Sequence, residues 1–172
     1  MSLKSRFAYY LGDIIYGAND GIITTFAVVS SAAGAGFPVS IIIILGIANL
    51  IADGFSMGAS SYLSQTSEQS LEDAKEKGRS PVADGVITFI SFVIIGSFPL
   101  LPFVFISTSD NVFLISTSAT AVTLFIVGAA RALVTTRGAL ISGIEMLVVG
   151  GVAAAIAYGL GAFIKAIVGA TI

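Results

Sequence analysis

Acidic, amide and thioether side chains interrupt two apolar stretches of this sequence at helical spacing. Asp13 and Asp20 are seven residues apart, so one helix would carry both on the same face. In the next stretch Asn49, Asp53 and Met57 follow at intervals of four and again define one face. Carboxylate and amide oxygens suit divalent cations, and a thioether favours softer first-row metals such as Fe²⁺ or Mn²⁺. The spacing predicts a metal site between two helices, unless Met57 is only an apolar residue that fills a gap.

The composition is that of an integral membrane protein. Of the 172 residues, 56% are hydrophobic and 10% are charged, against about 25% charged in soluble domains. The net charge of −2 and the isoelectric point near 4.9 argue against nucleic-acid binding, which needs a basic face. The absence of cysteine and histidine excludes disulfides, thiolate metal sites, imidazole haem ligation and a serine–histidine–aspartate triad. We therefore expect neither an enzyme nor a resident cofactor, and without a P-loop any pumping would use a gradient.

Five apolar stretches are long enough to cross a bilayer, which takes about 20 residues. They cover residues 14–35, 39–63, 82–106, 112–133 and 139–168, with a connector at 64–81. Because lipid offers the backbone no hydrogen-bond partners, we predict one all-α, five-helix transmembrane domain over residues 1–172. Seven of the eight basic residues precede the first stretch, lie in the connector or flank the turn between the last two stretches: Lys4, Arg6, Lys75, Lys77, Arg79, Arg131 and Arg137. Only Lys165 falls toward the other side. The positive-inside rule then predicts a cytoplasmic N-terminus and an external C-terminus.

Acidic residues inside the predicted helices need a compensating partner. A carboxylate at the bilayer centre costs about 2.5 kcal/mol or more. Asp20 and Asp53 are expected at similar depths, and no basic residue is placed to reach either, so their default partner is a metal ion or a proton. The alternative is that Asp20 is a protonated acid bonded to a neighbouring helix and that Asp53 packs against Ser or Tyr groups. Glu145 either pairs with Arg131 or carries a proton, so Asp20, Asp53 and Glu145 are the candidates for proton coupling.

Other acidic residues occur near the predicted membrane surfaces. Asp13 and Asp84 are interpreted as solvated helix ends, although Asp13 also shares the face of Asp20. Three acidic residues of the connector share a helical face and could collect cations: Glu68, Glu72 and Glu76. A solvated helical extension is the favoured interpretation of that segment.

Four longer motifs stand out along the chain: "GANDGIITTFAVVSSAAGAG", "ANLIADGFSMGASSYLSQTSE", "SFPLLPF" and "EMLVVGGVAAAIAYGLG". Together they resemble the vacuolar iron transporter family, in its first two helices and in its third and fifth. The resemblance implies a homodimer of five-helix protomers that exchanges Fe²⁺ or Mn²⁺ for protons and moves metal out of the cytoplasm. It also implies a pathway between the protomers that is lined by their first helices.

The resemblance assigns roles to individual residues. The family's pore aspartate and methionine correspond to Asp20 and Met57, and its cytoplasmic-entrance aspartate corresponds to Asp13. Asn49 stands where a glutamate is usual, which removes one negative charge. Long members carry a helical metal-binding domain between the second and third helices, but the connector at 64–81 is too short for it, and Glu68 matches only its first acidic position. The chain therefore resembles the short, core-only members, many of them bacterial, and a bacterial plasma membrane is the expected location.

Two other classes of function remain open at the level of sequence. One is a membrane protein that transports nothing, either a metal sensor or a structural dimer whose carboxyl groups are protonated packing groups. The other is a passive cation channel, which would move metal without opposite movement of protons.

Overall fold

The computed structural model describes residues 3–71, 80–106, 111–133 and 135–169, and in these ranges the chain is helical without any strand. Its helices are α1 (Leu3–Gly34), α2 (Val39–Leu71), α3 (Pro81–Gly96), α4 (Leu101–Phe105), α5 (Val112–Ala130) and α6 (Ala139–Gly169). Two 3₁₀ turns lie between them, at Phe98–Leu100 and Arg131–Leu133. The prediction of an all-α protein is confirmed.

Four stretches of the described chain are long and apolar enough to cross a membrane: Val39–Ser70, Pro81–Phe105, Val112–Leu133 and Ala139–Gly169. Large apolar side chains on these stretches point outward, among them Phe55, Leu114 and Phe163, which are 69%, 64% and 62% exposed. Such a surface is unsuited to water and suits lipid. The α1 helix is not among the four because polar residues such as Asn19 and Asp20 lower its hydropathy. The structure thus confirms a helical membrane protein, and α1 as a fifth span stays a prediction.

The α1 helix lies at the centre of the bundle. It contacts α2, α3, α5 and α6, while α3 also packs against α2, and α5 against α6. Gly17 and Gly21 bring the backbones of α1 and α3 together, because a Cβ at either position would lie 2.5 Å from a carbonyl oxygen, that of Thr88 or of Phe92. No larger residue fits these positions without moving a helix, so the two glycines fix the register of α1 against α3.

A tight turn joins α1 to α2. The amide of Phe37 donates to the Ala32 carbonyl at 3.0 Å, and the amide of Gly36 donates to the Ala33 carbonyl at 2.9 Å. This is the Schellman pattern, and it needs a left-handed residue, which Gly36 supplies with φ of 75°. The turn brings α2 back antiparallel to α1, so the polar residues of the two helices meet near mid-length.

The predicted third stretch is not one continuous helix. The α3 helix ends at Gly96, and a 3₁₀ turn and the short α4 complete the stretch. Pro99 and Pro102 cause the break, because proline lacks an amide hydrogen and its ring clashes with the carbonyl four residues earlier. The hydroxyl of Ser116 on α5 donates to the Pro99 carbonyl at 2.6 Å, so the break is held by a buried hydrogen bond.

The α2 helix continues beyond the predicted second stretch, to Leu71. The first part of the predicted connector is therefore an exposed helical extension, as the favoured interpretation had it. Residues 72–79 lie outside the described residues, and with them Glu72 and Glu76 of the predicted acidic face.

Candidate functional site

Asp20 on α1 and Asp53 on α2 form the centre of the site. Both side chains are half-buried, and the two carboxyl groups interact electrostatically across the contact between the helices. Neither forms an ion pair with a basic side chain of the described residues. Two like charges in a partly apolar bundle repel each other more than they would in water, because the local dielectric constant is lower. A bound cation or a proton on one carboxyl group would remove this repulsion.

One side of α1 is incompletely covered by the rest of the chain. We call it the open face of α1; it comprises Asp13, Tyr16, Asp20, Thr24 and Ala27. Tyr16 is 63% exposed and the other four side chains are half-buried, whereas the opposite side of the helix is fully buried. The predicted sharing of a face by the two aspartates therefore corresponds to a side of α1 that a second molecule could reach.

Two amide side chains accompany the aspartates. Asn49 lies one turn before Asp53 on α2, and its Nδ2 is buried without a hydrogen-bond partner in the described structure. Asn19 precedes Asp20, and its buried Oδ1 likewise has no partner there. Buried polar atoms are normally paired, so the Asn19 Oδ1, an acceptor, is available to water or to a cation, and the Asn49 Nδ2, a donor, is available to water or to a carboxylate oxygen. Sequence reasoning overlooked Asn19, although a polar amide in an apolar stretch was the available signal.

Met57 lies one turn beyond Asp53 but inside the apolar core. Only 9% of it is exposed, and it belongs to a buried cluster with Phe26, Leu50 and Phe92. Its place in this cluster fits the gap-filling interpretation, and its role as a metal ligand stays a prediction.

Glu145 belongs to an ion-pair cluster where α5 meets α6. Arg137 Nη1 lies 3.3 Å from each carboxylate oxygen of Glu145, and Arg131 Nη1 lies 3.7 Å from Oε2. The expected pairing with Arg131 is present, and Arg137 is a second partner that sequence reasoning overlooked. Two arginines hold this carboxylate at the end of the bundle, away from the contact between Asp20 and Asp53.

The interpretation of Asp84 as a solvated helix end is wrong, because its side chain is 0% exposed. Asp84 lies one turn before Thr88, the residue whose carbonyl oxygen lies at the close contact made by Gly17. Asp13 is half-buried rather than solvated. The close packing of α1 on α3 buries a position that would be exposed on an isolated helix end.

Glu68 lies far from the other candidate residues. It is exposed on the α2 extension, where Ser64 Oγ and Gln65 Nε2 approach its oxygens at 3.3 and 3.4 Å. Fifteen residues separate it from Asp53, or about 22 Å along a helix. Glu68 is thus not brought together with the central carboxyl groups.

The described residues of one chain contain no group of three or more acidic side chains that could hold a metal ion. One copy of the chain therefore brings together two carboxyl groups, of Asp20 and Asp53, with the amide of Asn49 one turn away. Divalent transition metals usually take four to six ligands. Further ligands would have to come from water or from a second copy.

A family model described as the VIT family matches residues 11–79 and 71–162 of this chain. Vacuolar iron transporter 1 of Oryza sativa subsp. japonica is 27% identical over 86% of this chain and 82% of the relative. The vacuolar iron transporter of Toxoplasma gondii is 22% identical over 95% of this chain and 77% of the relative. That of Plasmodium falciparum is 46% identical over a shorter segment, 39% of this chain. The alignment to the rice protein runs over 208 positions, more than the 172 residues present here, so the relative carries inserted residues.

Proposed function

Because the chain belongs to the VIT family, as a short, core-only member, we propose that it transports divalent transition-metal ions across a membrane. We propose Fe²⁺ and Mn²⁺ as the cargo, exchanged for protons and exported from the cytoplasm. The names of its relatives, vacuolar iron transporters, support iron as one of the ions. The membrane would be a bacterial plasma membrane, with the N-terminus in the cytoplasm and five spans that include α1.

The observation that carries this proposal is the interaction of Asp20 with Asp53. Their carboxyl groups repel each other between two helices, with no basic side chain of the described chain to offset the charge. A divalent cation would bind both carboxyl groups and neutralise their charges, because carboxylate oxygens are good ligands for such ions.

The same pair of carboxyl groups supplies a route to exchange. When a carboxyl group in an apolar site releases its metal ion, it must take up a proton, because an uncompensated charge in such a site is costly. A proton then travels opposite to each metal ion that leaves, without bound nucleotide. Asp20 and Asp53 are the main candidates for this role, and Glu145 is a third candidate if it leaves its arginine partners.

The open face of α1 is the basis for proposing a homodimer. Asp13, Asp20 and Thr24 lie along it and are only partly covered by the rest of their own chain. A two-fold contact along this face would place a second Asp20 near the first, because symmetric dimers present the same surface twice. The dimer would thereby enclose a path with four central carboxyl groups rather than two.

The remaining ligand candidates have distinct places on this path. Asn49 would add an amide beside Asp53, and Met57 would add its thioether only after leaving the apolar cluster that holds it. Asp13 would serve the cytoplasmic entrance of the path. Glu68, on the exposed extension of α2, would collect cations before entry.

The experiment that tests the proposal is flux in proteoliposomes that contain a metal-sensitive dye and a pH-sensitive dye. Fe²⁺, Mn²⁺ and Mg²⁺ are compared for the parent protein, Asp20→Ala and a matched control, Ser118→Ala. Ser118 is a suitable control because its hydroxyl is exposed and donates only within its own helix, to Leu114 at 2.9 Å.

We expect Fe²⁺ and Mn²⁺ to enter with opposite proton movement in the parent and in Ser118→Ala, and not in Asp20→Ala. Metal entry without proton movement would identify a passive channel and contradict the antiport. Absence of flux for every metal, in a folded dimeric sample, would contradict transport and favour a sensor or a structural dimer.

A further inference from the structure

One buried hydroxyl group, that of Ser116, bonds the break between α3 and α4 to α5. Ser116 Oγ donates to the carbonyl oxygen of Pro99 at 2.6 Å, and Thr120 Oγ1 donates to the carbonyl oxygen of Ser116 at 2.7 Å. Both hydroxyl side chains are 0% exposed, and Pro99 is buried as well. A carbonyl in such a place is costly to leave unpaired, so the Ser116 hydroxyl stabilises this particular geometry of the break.

The residue at which α3 ends touches α1 directly beside Asp20. A Cβ on Gly96 would lie 2.8 Å from both the carbonyl carbon and the carbonyl oxygen of Gly21, the residue that follows Asp20. A Cβ on Gly21 would in turn lie 2.5 Å from the Phe92 carbonyl oxygen, one turn before Gly96. The two backbones are in direct contact here, so a shift of one displaces the other.

We infer that Ser116 is a positioning residue, which sets the position of Asp20 through the broken third stretch. Its hydroxyl holds Pro99, the turn at Pro99 fixes the end of α3, and Gly96 at that end fixes α1 beside Asp20. The inference rests on the proposed function, because it makes Ser116 a determinant of metal affinity without contact with the metal. No ligand and no charge is added by Ser116; it acts through backbone contacts.

The physical consequence is a coupling between the break and the distance from Asp20 to Asp53. Loss of the hydroxyl removes its buried hydrogen bond to the Pro99 carbonyl and allows the turn to adopt other geometries. The end of α3 then ceases to hold α1 in one place, and the separation between the carboxyl groups of Asp20 and Asp53 is no longer fixed.

The first test does not depend on transport. The chain contains no cysteine, so Ala27→Cys supplies a single thiol on the open face of α1, two turns beyond Asp20. We expect Ser116→Ala to raise the rate of thiol labelling at this position about fivefold, the population change that loss of one buried hydrogen bond produces. Ser118→Ala, which removes a hydroxyl two residues away on α5, should label at the parental rate.

Two further variants distinguish the effect of the hydroxyl group on the labelling rate from the effect of side-chain volume. Ser116→Thr keeps the hydroxyl and should restore slow labelling, whereas labelling as fast as in Ser116→Ala would overturn the inference. Gly96→Ala should also accelerate labelling because its Cβ forces the backbones apart, and Gly151→Ala is its control since no atom lies within 4 Å of a Cβ there.

The second test uses metal flux. We expect Ser116→Ala to raise the KM for Mn²⁺ about fivefold with kcat per folded protein nearly unchanged, since Asp20 is displaced and not removed. A hydroxyl with a merely structural role would reduce the yield of folded protein and leave KM unchanged. Parental labelling and parental KM in Ser116→Ala would overturn the inference. If the parent protein moves no metal, the proposed function fails, and the labelling rates still decide whether Ser116 positions α1.

Discussion

Asp20 on α1 and Asp53 on α2 interact electrostatically across the contact between the two helices. The two residues are 33 positions apart in the sequence, and the turn at Gly36 brings them to a common level. Two acids in this position are stabilised only by a shared cation or by protons, so their replacement gives the most direct test of the site.

Asp20→Asn keeps the size of the side chain and removes its charge. We expect Fe²⁺ and Mn²⁺ flux to fall about tenfold or more, because loss of one charge a few ångströms from a divalent ion costs well over 1.4 kcal/mol at protein dielectric constants. Initial rates of dye quenching in proteoliposomes measure the effect. Substantial export by Asp20→Asn would refute the site, and Ser118→Ala again serves as the control.

Met57→Leu distinguishes a ligand from a packing residue. The two side chains have similar volumes, so the melting temperature in detergent should change little, with a cost below about 1.5 kcal/mol. If the thioether binds metal during transport, the KM for Fe²⁺ and Mn²⁺ rises while any Mg²⁺ flux is unaffected. An unchanged metal preference would show that the apolar cluster around Phe92 is the whole role of Met57.

Glu145→Gln separates a proton carrier from an ion-pair partner. The carboxylate is 40% exposed, so its pairs with Arg131 and Arg137 contribute at most about 1 kcal/mol each in solution. We expect a small fall in melting temperature that shrinks at high salt, and an unchanged pH profile of flux per folded protein. A shifted pH profile would instead make Glu145 part of the proton pathway. Leu140→Ala, an exposed neighbour without charge, controls for local packing.

The contact between α2 and α3 predicts a large stability effect at two glycines. A Cβ on Gly58 would lie 2.7 Å from the Gly85 carbonyl oxygen, and a Cβ on Gly85 would lie 2.6 Å from that of Gly58. Either alanine substitution must push the helices apart and should cost about 1–3 kcal/mol. Thermal unfolding in detergent measures this, with Gly159→Ala as the control because nothing lies within 4 Å of its Cβ. Equal melting temperatures for all three variants would contradict the close approach.

The local sequence pattern predicted much of this fold because the apolar stretches begin and end near turn-forming or polar residues. The turn at Gly36 and Pro38 and the polar residues after α2 fixed their bounds to within a few residues. The ion pair of Arg131 with Glu145 was also accessible, since few basic residues could reach that acid. The burial of Asp84 could not be predicted from the sequence, because it depends on how closely α1 approaches α3 near Gly17. Such a contact leaves no periodic pattern in the sequence near Asp84. Likewise the location of Met57 in the apolar cluster depends on Phe26 and Phe92 from two other helices.

The uninterrupted α2 helix has a mechanical consequence. Its 33 residues extend about 50 Å, whereas the hydrocarbon core is about 30 Å thick. Asp53 and the exposed Glu68 therefore lie on one continuous helix, Asp53 inside the bundle and Glu68 beyond it. If α2 tilts about a point between these two residues, the carboxyl groups of Asp53 and Glu68 move in opposite directions. A force on the end of α2 near Glu68 would therefore change the separation between Asp53 and Asp20.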